Sequence, residues 1–160
     1  MTAEAIVDDA LAFRATMSRL PSGVSVITTR AGDVPVGMTA SSVTALSLDP
    51  LQLLVCIGNH LFTRQAIAQH GRFGVNILGE ESKDLAKQFA SKGDRFAGVE
   101  YDDHHGVPVL RDVIASVVCE VAAELPGGDH TIFVGSVRRF DHRVTGRPLV
   151  HCCGEFGRIA

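Results

Sequence analysis

The chain has 160 residues, with 15 Lys and Arg against 18 Asp and Glu, which gives a formal net charge of −3 at pH 7. This length fits one domain spanning residues 1–160, and the slightly acidic balance differs from the basic stripe of nucleic-acid-binding proteins. Hydrophobic residues make up 46% of the chain and charged residues 21%, so the composition excludes a disordered protein.

Neither a membrane nor a nucleic acid is expected as a partner. The longest uninterrupted apolar run covers residues 53–57, whereas a membrane-spanning helix needs about 20 apolar residues. The segment MTAEAIVDD at the start lacks the basic head and long apolar stretch of a secretion signal. The sequence therefore predicts a cytoplasmic protein.

The four cysteines do not form a disulfide framework or a zinc site, because the paired C-x-x-C spacing of structural zinc is absent. Cys56 and Cys119 lie in strand-like runs and are predicted to be small buried residues. Cys152 and Cys153 are adjacent, so on a strand they would face opposite ways. No metal ligands are predicted.

The first element is predicted to be a helix that ends at Pro21. Its apolar residues recur at steps of four and three and share one face: Ile6, Ala10, Phe13, Met17 and Leu20. This face is expected to dock on the core or on a partner subunit.

The rest of the chain is predicted to be mainly β with short helices. Strand-like runs cover residues 23–30, 36–50, 51–57, 71–78, 116–124, 130–140 and 147–153. Two helices interrupt them, one from after Asn59 to about Ala68 and one from about Glu81 to Ala90. About six or seven strands joined by short turns favour an antiparallel barrel or sandwich and not a doubly wound sheet.

Residues 38–44 are dense in hydroxyls, since four of the seven are Ser or Thr. The hydroxyls of Thr39, Ser41, Ser42 and Thr44 could bind a ligand rich in hydrogen-bond acceptors. An ordinary strand with a solvent-facing polar side would give the same pattern.

Residues 58–64 join a buried strand to a helix, an arrangement suited to binding phosphate at the helix N-terminus. Asn59 is the predicted N-cap, with Thr63 and Arg64 near the first turn. Ordinary capping remains the alternative. Lys92 and Arg95 follow the next helix and could contact an anion, although cations there also suit the helix dipole.

The sequence GGDH at 127–130 predicts a tight turn before a strand, with Asp129 able to orient His130 by a hydrogen bond. A surface histidine without a catalytic role is the alternative. His104 and His105 lie in a stretch predicted to be a polar loop. Nucleophile elbows, P-loops and G-x-G-x-x-G fingerprints are absent, so any redox chemistry is expected from a bound cofactor.

The order and spacing of several motifs resemble the flavin reductase family over residues 11–158. The segments that carry the resemblance are FRATMSRLPSGVSVITT, GMTASSVTALSLDP, TRQAI, FGVNIL, LAKQFA, DRFAG, GGDHTIFVGSV, PLV and CCGEF. The resemblance implies an FMN-binding split β-barrel, a Greek-key antiparallel barrel, in a homodimer. It also implies hydride transfer from NADH or NADPH to FMN or FAD, which supplies reduced flavin to a partner monooxygenase.

The resemblance further implies roles for particular residues. Ser41, Ser42, Val43 and Thr44 match the segment that holds the isoalloxazine ring. The segment that holds the ribityl chain and phosphate is matched by Gly58, Asn59, Thr63 and Arg64. The segment that makes further phosphate and adenine-side contacts is matched by Phe89, Lys92 and Arg95. The nicotinamide nucleotide is bordered by segments that match Pro35, Gly37, Thr39 and Phe156.

His130 matches a residue beside the nicotinamide and is expected to position it, because the hydride step needs no protein acid or base. Two alternatives stay open. One is a split-barrel carrier or sensor that holds flavin or haem without nicotinamide turnover. The other is a ferric- or cobalt-complex reductase on the same scaffold.

Overall fold

The computed structural model describes residues 3–160, with side chains from residue 8 onward. The helices are α1 (Ala3–Met17), α2 (Phe62–His70) and α3 (Lys83–Ala90). The strands are β1 (Ser22–Gly23), β2 (Ser25–Ala31), β3 (Val34–Ala40), β4 (Val43–Leu48), β5 (Leu51–Gly58), β6 (Arg72–Ile77), β7 (Tyr101–His104), β8 (Val107–Leu110), β9 (Ala115–Gly127), β10 (His130–His142), β11 (Leu149–Cys152) and β12 (Glu155–Arg158). The prediction of a mainly β protein with short helices is confirmed.

Seven strands form one antiparallel sheet in the order β3-β2-β6-β9-β10-β5-β4. A three-stranded sheet, β1-β11-β12, and a hairpin, β7-β8, flank it. The two edge strands of the large sheet are consecutive in the chain, since β3 ends at Ala40 and β4 begins at Val43. Only Ser41 and Ser42 therefore connect one edge of the sheet to the other.

Two apolar clusters support these strands. The larger one lies on the seven-stranded sheet and contains the fully buried rings of Phe73 and Phe133. The smaller one packs α3 against β2 and the flanking strands, with Phe89 fully buried. Each large apolar side chain buried in this way stabilises the fold by about 1.5–3 kcal/mol.

The predicted docking face of α1 is not covered by the core of this chain. Phe13, Met17 and Leu20 are 66%, 46% and 64% exposed. Ile6, the remaining large residue of this face, lies outside the described side chains. Within residues 3–160 no helix has the length and hydropathy needed to cross a membrane.

Two local predictions were wrong. The stretch predicted as a polar loop contains β7, which pairs with β8 although Asp and His are poor strand formers. Hydrogen bonds from Arg30 and from the backbone N–H of Gly106 to the Asp103 carboxylate stabilise this hairpin. Cys152 and Cys153 do not face opposite ways, because the strand ends at Cys152 and Cys153 has a positive φ of 53°.

The remaining cysteine predictions differ in outcome. Cys119 is fully buried, as predicted, and this burial raises the pKa of its thiol to about 12. Cys56 is only half-buried. On β5 it lies opposite Ile132 of β10.

Candidate functional site

The site begins where β5 ends and α2 starts. Thr63 and Arg64 lie in the first turn of α2, as predicted, but Asn59 does not cap the helix. The cap position is Leu61, which supplies no side-chain hydrogen bond. Asn59 instead serves the neighbouring turn, since its Nδ2 donates to the Gly128 carbonyl at 3.3 Å. The first turn of α2 therefore keeps N–H groups that no side chain caps.

Strand register brings three of the predicted segments to one end of the large sheet. Gly58 at the end of β5 lies opposite His130 at the start of β10. On the other side of β5, Val43 at the start of β4 lies opposite Val55. The hydroxyl-rich segment, the turn before α2 and the His130 turn are thus neighbours across three adjacent strands.

A cleft of about 340 Å³, which we call the Lys92 cleft, lies beside the start of α2. Five of its lining residues were predicted as ligand contacts from three separate segments: Pro35, Gly37, Thr63, Lys92 and Arg95. Leu61, Phe62 and Phe96 supply apolar surface, and Asp94 supplies one carboxylate. The cleft therefore combines two cations, an uncapped helix N-terminus and apolar walls, a combination that suits a phosphorylated ligand.

Arg95 is held in this cleft by backbone carbonyls. Its Nη1 donates to Gly37 at 2.9 Å and its Nε donates to Ser91 at 2.7 Å. The bond to Gly37 ties the loop after α3 to β3. Lys92 is exposed and carries its charge at the rim.

A second cleft of about 470 Å³, the His130 cleft, lies on the other side of the α2 start. It is lined by three predicted residues, Asn59, Arg64 and His130, together with Glu124 and Thr131. The Arg64 guanidinium donates from Nε to the Thr131 hydroxyl at 3.1 Å and lies 3.9 Å from Glu124. Arg64 is therefore held in place from two sides.

His130 and Asp129 form the predicted pair, with Nδ1 and Oδ1 2.7 Å apart. The hydrogen bond and the nearby charge of His130 hold the pKa of Asp129 below its ordinary value of 3.8. Because the pair uses Nδ1, Nε2 is the ring nitrogen left for a ligand. The tight turn predicted here is a two-residue hairpin between β9 and β10, with Gly128 at a φ of 67°.

The hydroxyl-rich segment lines neither cleft. Ser41 and Thr44 are exposed, and Val43 packs against the larger core cluster. Ser42 is bound to β5, because its Oγ donates to the Cys56 carbonyl at 2.7 Å. The segment therefore offers exposed hydroxyls and backbone beside the site and no enclosed pocket of its own.

Three other predicted contacts lie apart from the two clefts. Thr39 donates its hydroxyl to the Ala86 carbonyl at 2.6 Å, which joins β3 to α3. Phe89 is fully buried beneath Gly37. Phe156 lines a separate cleft of about 420 Å³ with Glu80, Glu81, Lys83, Leu149, Gly157 and Arg158.

Two polar side chains of the His130 cleft were missed from the sequence. Thr131 follows His130 in a β-branched run typical of any strand, and Glu124 lies in the alternating pattern of β9. Their roles come from cross-strand pairing, which a linear pattern does not reveal. Among the described residues, no group of three or more His, Cys, Asp or Glu side chains could hold a metal ion.

Comparisons with known proteins agree on one family. The model for the flavin reductase like domain matches residues 17–160. A 4-nitrophenol 4-monooxygenase/4-nitrocatechol 2-monooxygenase reductase component from Rhodococcus opacus is 39% identical, over 94% of this chain and 82% of the relative. An NADH-dependent FMN reductase from Streptomyces nodosus subsp. asukaensis is 37% identical, over 90% and 82%.

Structural similarity leads to the same family. The NADH:FAD oxidoreductase of Streptomyces globisporus, solved in complex with NAD and FAD fragments, superimposes with a TM-score of 0.91 at 30% sequence identity. The match covers 96% of this chain and 94% of that one. Because the family model spans most of the sequence, this chain belongs to the flavin reductase-like family.

Proposed function

We propose that this chain is a single-domain NAD(P)H-dependent flavin reductase. It transfers a hydride from the nicotinamide to FMN or FAD and supplies reduced flavin to a partner monooxygenase. The observation that carries the proposal is the Lys92 cleft, where Lys92, Arg95 and the uncapped start of α2 meet. Relatives named as NADH-dependent reductases and as monooxygenase reductase components support the same function.

The residues of the Lys92 cleft fit the phosphate of a flavin nucleotide. Two cations stand against the single carboxylate of Asp94, so a dianion placed there has a favourable field. The N–H groups of the first turn of α2 add hydrogen-bond donors. Arg64, on the other side of the turn, is available to the ribityl chain or the phosphate.

The isoalloxazine ring is assigned to the surface beside Ser41–Thr44. Bound flavin supplies the electron-accepting ring, and this chain supplies hydrogen bonds to its polar edge while leaving one ring face open. Ser41 and Thr44 are exposed and small, so a flat ring is able to approach the backbone. Donors near the ring edge would stabilise the negative charge of the reduced form.

His130 is assigned to positioning the dihydronicotinamide. It is half-exposed at the sheet end that carries Gly58, and Asp129 fixes its ring through Nδ1. A positioned ring raises the fraction of bound NADH with its reactive carbon near the acceptor. Pro35, Gly37, Thr39 and Phe156 are assigned to the border of the same nucleotide.

The finer architecture is a closed split barrel that assembles as a homodimer. Closure is supported by the two-residue link between the edge strands of the large sheet. Dimerisation is supported by exposed apolar side chains, among them Phe13 and Met17 on α1 and Leu48 at the end of β4, which is 89% exposed. Light scattering at micromolar concentration is expected to give twice the mass of the chain.

The activity is tested by mixing the protein with NADH or NADPH and with FMN or FAD, and following the NADH absorbance band. Loss of that band only when protein and flavin are both present supports the proposal. No loss with any flavin would instead indicate a carrier or sensor. Reduction of a ferric or cobalt complex without added flavin would indicate a ferric- or cobalt-complex reductase.

A further inference from the structure

The hairpin between β11 and β12 contains a pair of adjacent cysteines in an unusual backbone conformation. β11 ends at Cys152 and β12 begins at Glu155, so Cys153 and Gly154 form a two-residue turn. Both turn residues have positive φ, 53° and 80°. Gly is favoured at such positions because a Cβ is strained there, and Asn and Asp are the side chains that tolerate this conformation best. A cysteine at the first of them is not explained by turn chemistry.

This conformation brings the two thiols together. The Sγ atoms of Cys152 and Cys153 are 3.6 Å apart. Both cysteines are free, and Cys153 is exposed. In a continuing strand the two side chains would point to opposite faces, so the turn creates the pair.

The end of α1 supports this arrangement. The N–H of Cys153 donates to the Ser18 carbonyl at 2.7 Å, and the Cys152 thiol lies within 3.8 Å of the carbonyls of Ser18 and Arg19. The hydrogen bond between the two thiols raises the pKa of Cys152 above its ordinary value. The Arg19 guanidinium donates from Nη1 to the Cys153 sulfur at 3.8 Å, which adds a further contact between this turn and the end of α1.

The backbone spacing of the two cysteines disfavours a disulfide, and the distance between their sulfurs suits chelation. Disulfides usually join Cα atoms about 4.4–6.8 Å apart, whereas adjacent residues are fixed at about 3.8 Å by the trans peptide bond. A tetrahedral centre with metal–sulfur bonds of about 2.3 Å holds two sulfurs about 3.8 Å apart, and a narrower pyramidal angle holds them at about 3.5 Å. The observed 3.6 Å lies between these two values.

We propose that Cys152 and Cys153 form a chelating dithiol site for a soft, thiophilic trivalent centre of the arsenic(III) class. Thiolates are the preferred ligands of such centres. With an organoarsenic(III) oxide the arsenic–oxygen bond breaks and two arsenic–sulfur bonds form. The oxygen leaves with the two thiol protons as one water molecule. Arsenic stays trivalent, so the step needs no oxidant or reductant.

The test uses phenylarsine oxide and the intact chain, with binding followed by native mass spectrometry and by counting free thiols. One arsenical per chain is expected, with the loss of two reactive thiols. Tryptic digestion after Arg143 and Arg158 is expected to place the adduct on the peptide that contains both cysteines, because the bond between Arg147 and Pro148 resists cleavage. A dithiol such as ethane-1,2-dithiol should reverse the adduct, whereas a monothiol at the same thiol concentration should not.

Single substitutions separate chelation from ordinary thiol reactivity. C152S and C153S each leave one thiol, so affinity should fall about 100-fold because the second bond is no longer intramolecular. C56S is the matched control and should bind like the unaltered protein, because Cys56 lies on β5 and not in this hairpin. Equal affinity in C152S, C153S and the unaltered chain, or an adduct on Cys56, would overturn the proposal.

Discussion

The Thr131 hydroxyl donates to Asn59 Oδ1 at 2.7 Å and accepts a hydrogen bond from Arg64 Nε at 3.1 Å. One nearly buried side chain of β10 thus fixes both the turn after β5 and the first basic residue of α2. Because Thr131 directly follows His130, the same strand positions the residue assigned to the nicotinamide and the arginine assigned to the flavin. The proposed binding regions for donor and acceptor are connected through this hydroxyl.

The first prediction concerns that connection. T131V removes both hydrogen bonds at nearly constant side-chain volume and leaves Arg64 less well oriented. A hydrogen bond to a charged group is worth about 1.5–3 kcal/mol, so FMN binding should weaken about 10-fold or more. Titration of FMN by fluorescence quenching measures the effect. T131S keeps the hydroxyl and should restore most of the affinity, whereas equal weakening in both variants would argue against the hydroxyl.

The second prediction assigns the charge of Lys92 to the flavin phosphate. K92A should weaken FMN binding several-fold, since an exposed charge pair contributes about 0.2–1 kcal/mol. Riboflavin has the same ring without a phosphate, so its affinity should not change. K87A is the matched control, because Lys87 lies on α3 and does not line the Lys92 cleft. An equal loss for FMN and riboflavin would contradict a phosphate contact.

The third prediction separates positioning from chemistry at His130. H130A should raise the KM for NADH about 10-fold and change kcat much less, because no protein acid or base takes part in the hydride step. Steady-state kinetics at saturating flavin measure both constants. Unchanged rates at every NADH concentration would remove His130 from the site.

Asp129 gives this third prediction a companion variant. D129N keeps the size of the side chain and weakens the contact to Nδ1, so it should raise the same KM to a smaller extent. The pKa of Asp129 is held below 3.8, so protonation of this carboxyl should not affect the KM for NADH near neutral pH. A KM that rises between pH 7 and pH 6 in the unaltered protein, but not in D129N, would contradict this assignment.

The sequence predicted the elements of the site better than their contacts. Strand runs around residues 51–57 and 130–140 coincide with β5 and β10 because β-branched residues and turn glycines mark their ends. The turn before α2 was also located, but Asn59 was assigned the wrong partner. A capping bond is local, whereas the bonds of Asn59 to Gly128 and Thr131 depend on β10 lying beside β5.

The sequence pattern did not decide whether Phe89 is buried or contacts a ligand. Its helical stripe with Leu85 and Ala86 suits a core residue as well as a ligand contact. The packing of α3 against β3 decides between these readings, since Phe89 lies directly beneath Gly37 with no exposed surface. The strand pair β7-β8 was missed for a similar reason: pairing across the hairpin and the Arg30–Asp103 ion pair compensate for weak strand propensity.

The fourth prediction concerns that contact between Gly37 and Phe89. A Cβ added at Gly37 would lie 2.7 Å from Phe89 Cε1, in a region where a buried ring has no free space. G37A should therefore lower the free energy of unfolding by about 1–3 kcal/mol. Urea unfolding measures the change. G157A is the control, because nothing lies within 4 Å of a Cβ built at that strand position, and equal stability of the two variants would contradict the packing argument.

The fifth prediction uses the buried thiol of Cys119. Burial raises the pKa of this thiol from an ordinary 9.0 to about 12. Folding favours the protonated thiol, so its contribution to stability is complete below pH 9 and is lost as the pH rises towards 12. Between pH 9 and pH 11 the unaltered protein should lose about 1.4 kcal/mol per pH unit more than C119A, which has no thiol to titrate. Urea unfolding at several pH values measures both slopes. Parallel slopes for the two proteins would show that this thiol has the same pKa in the folded and unfolded chains.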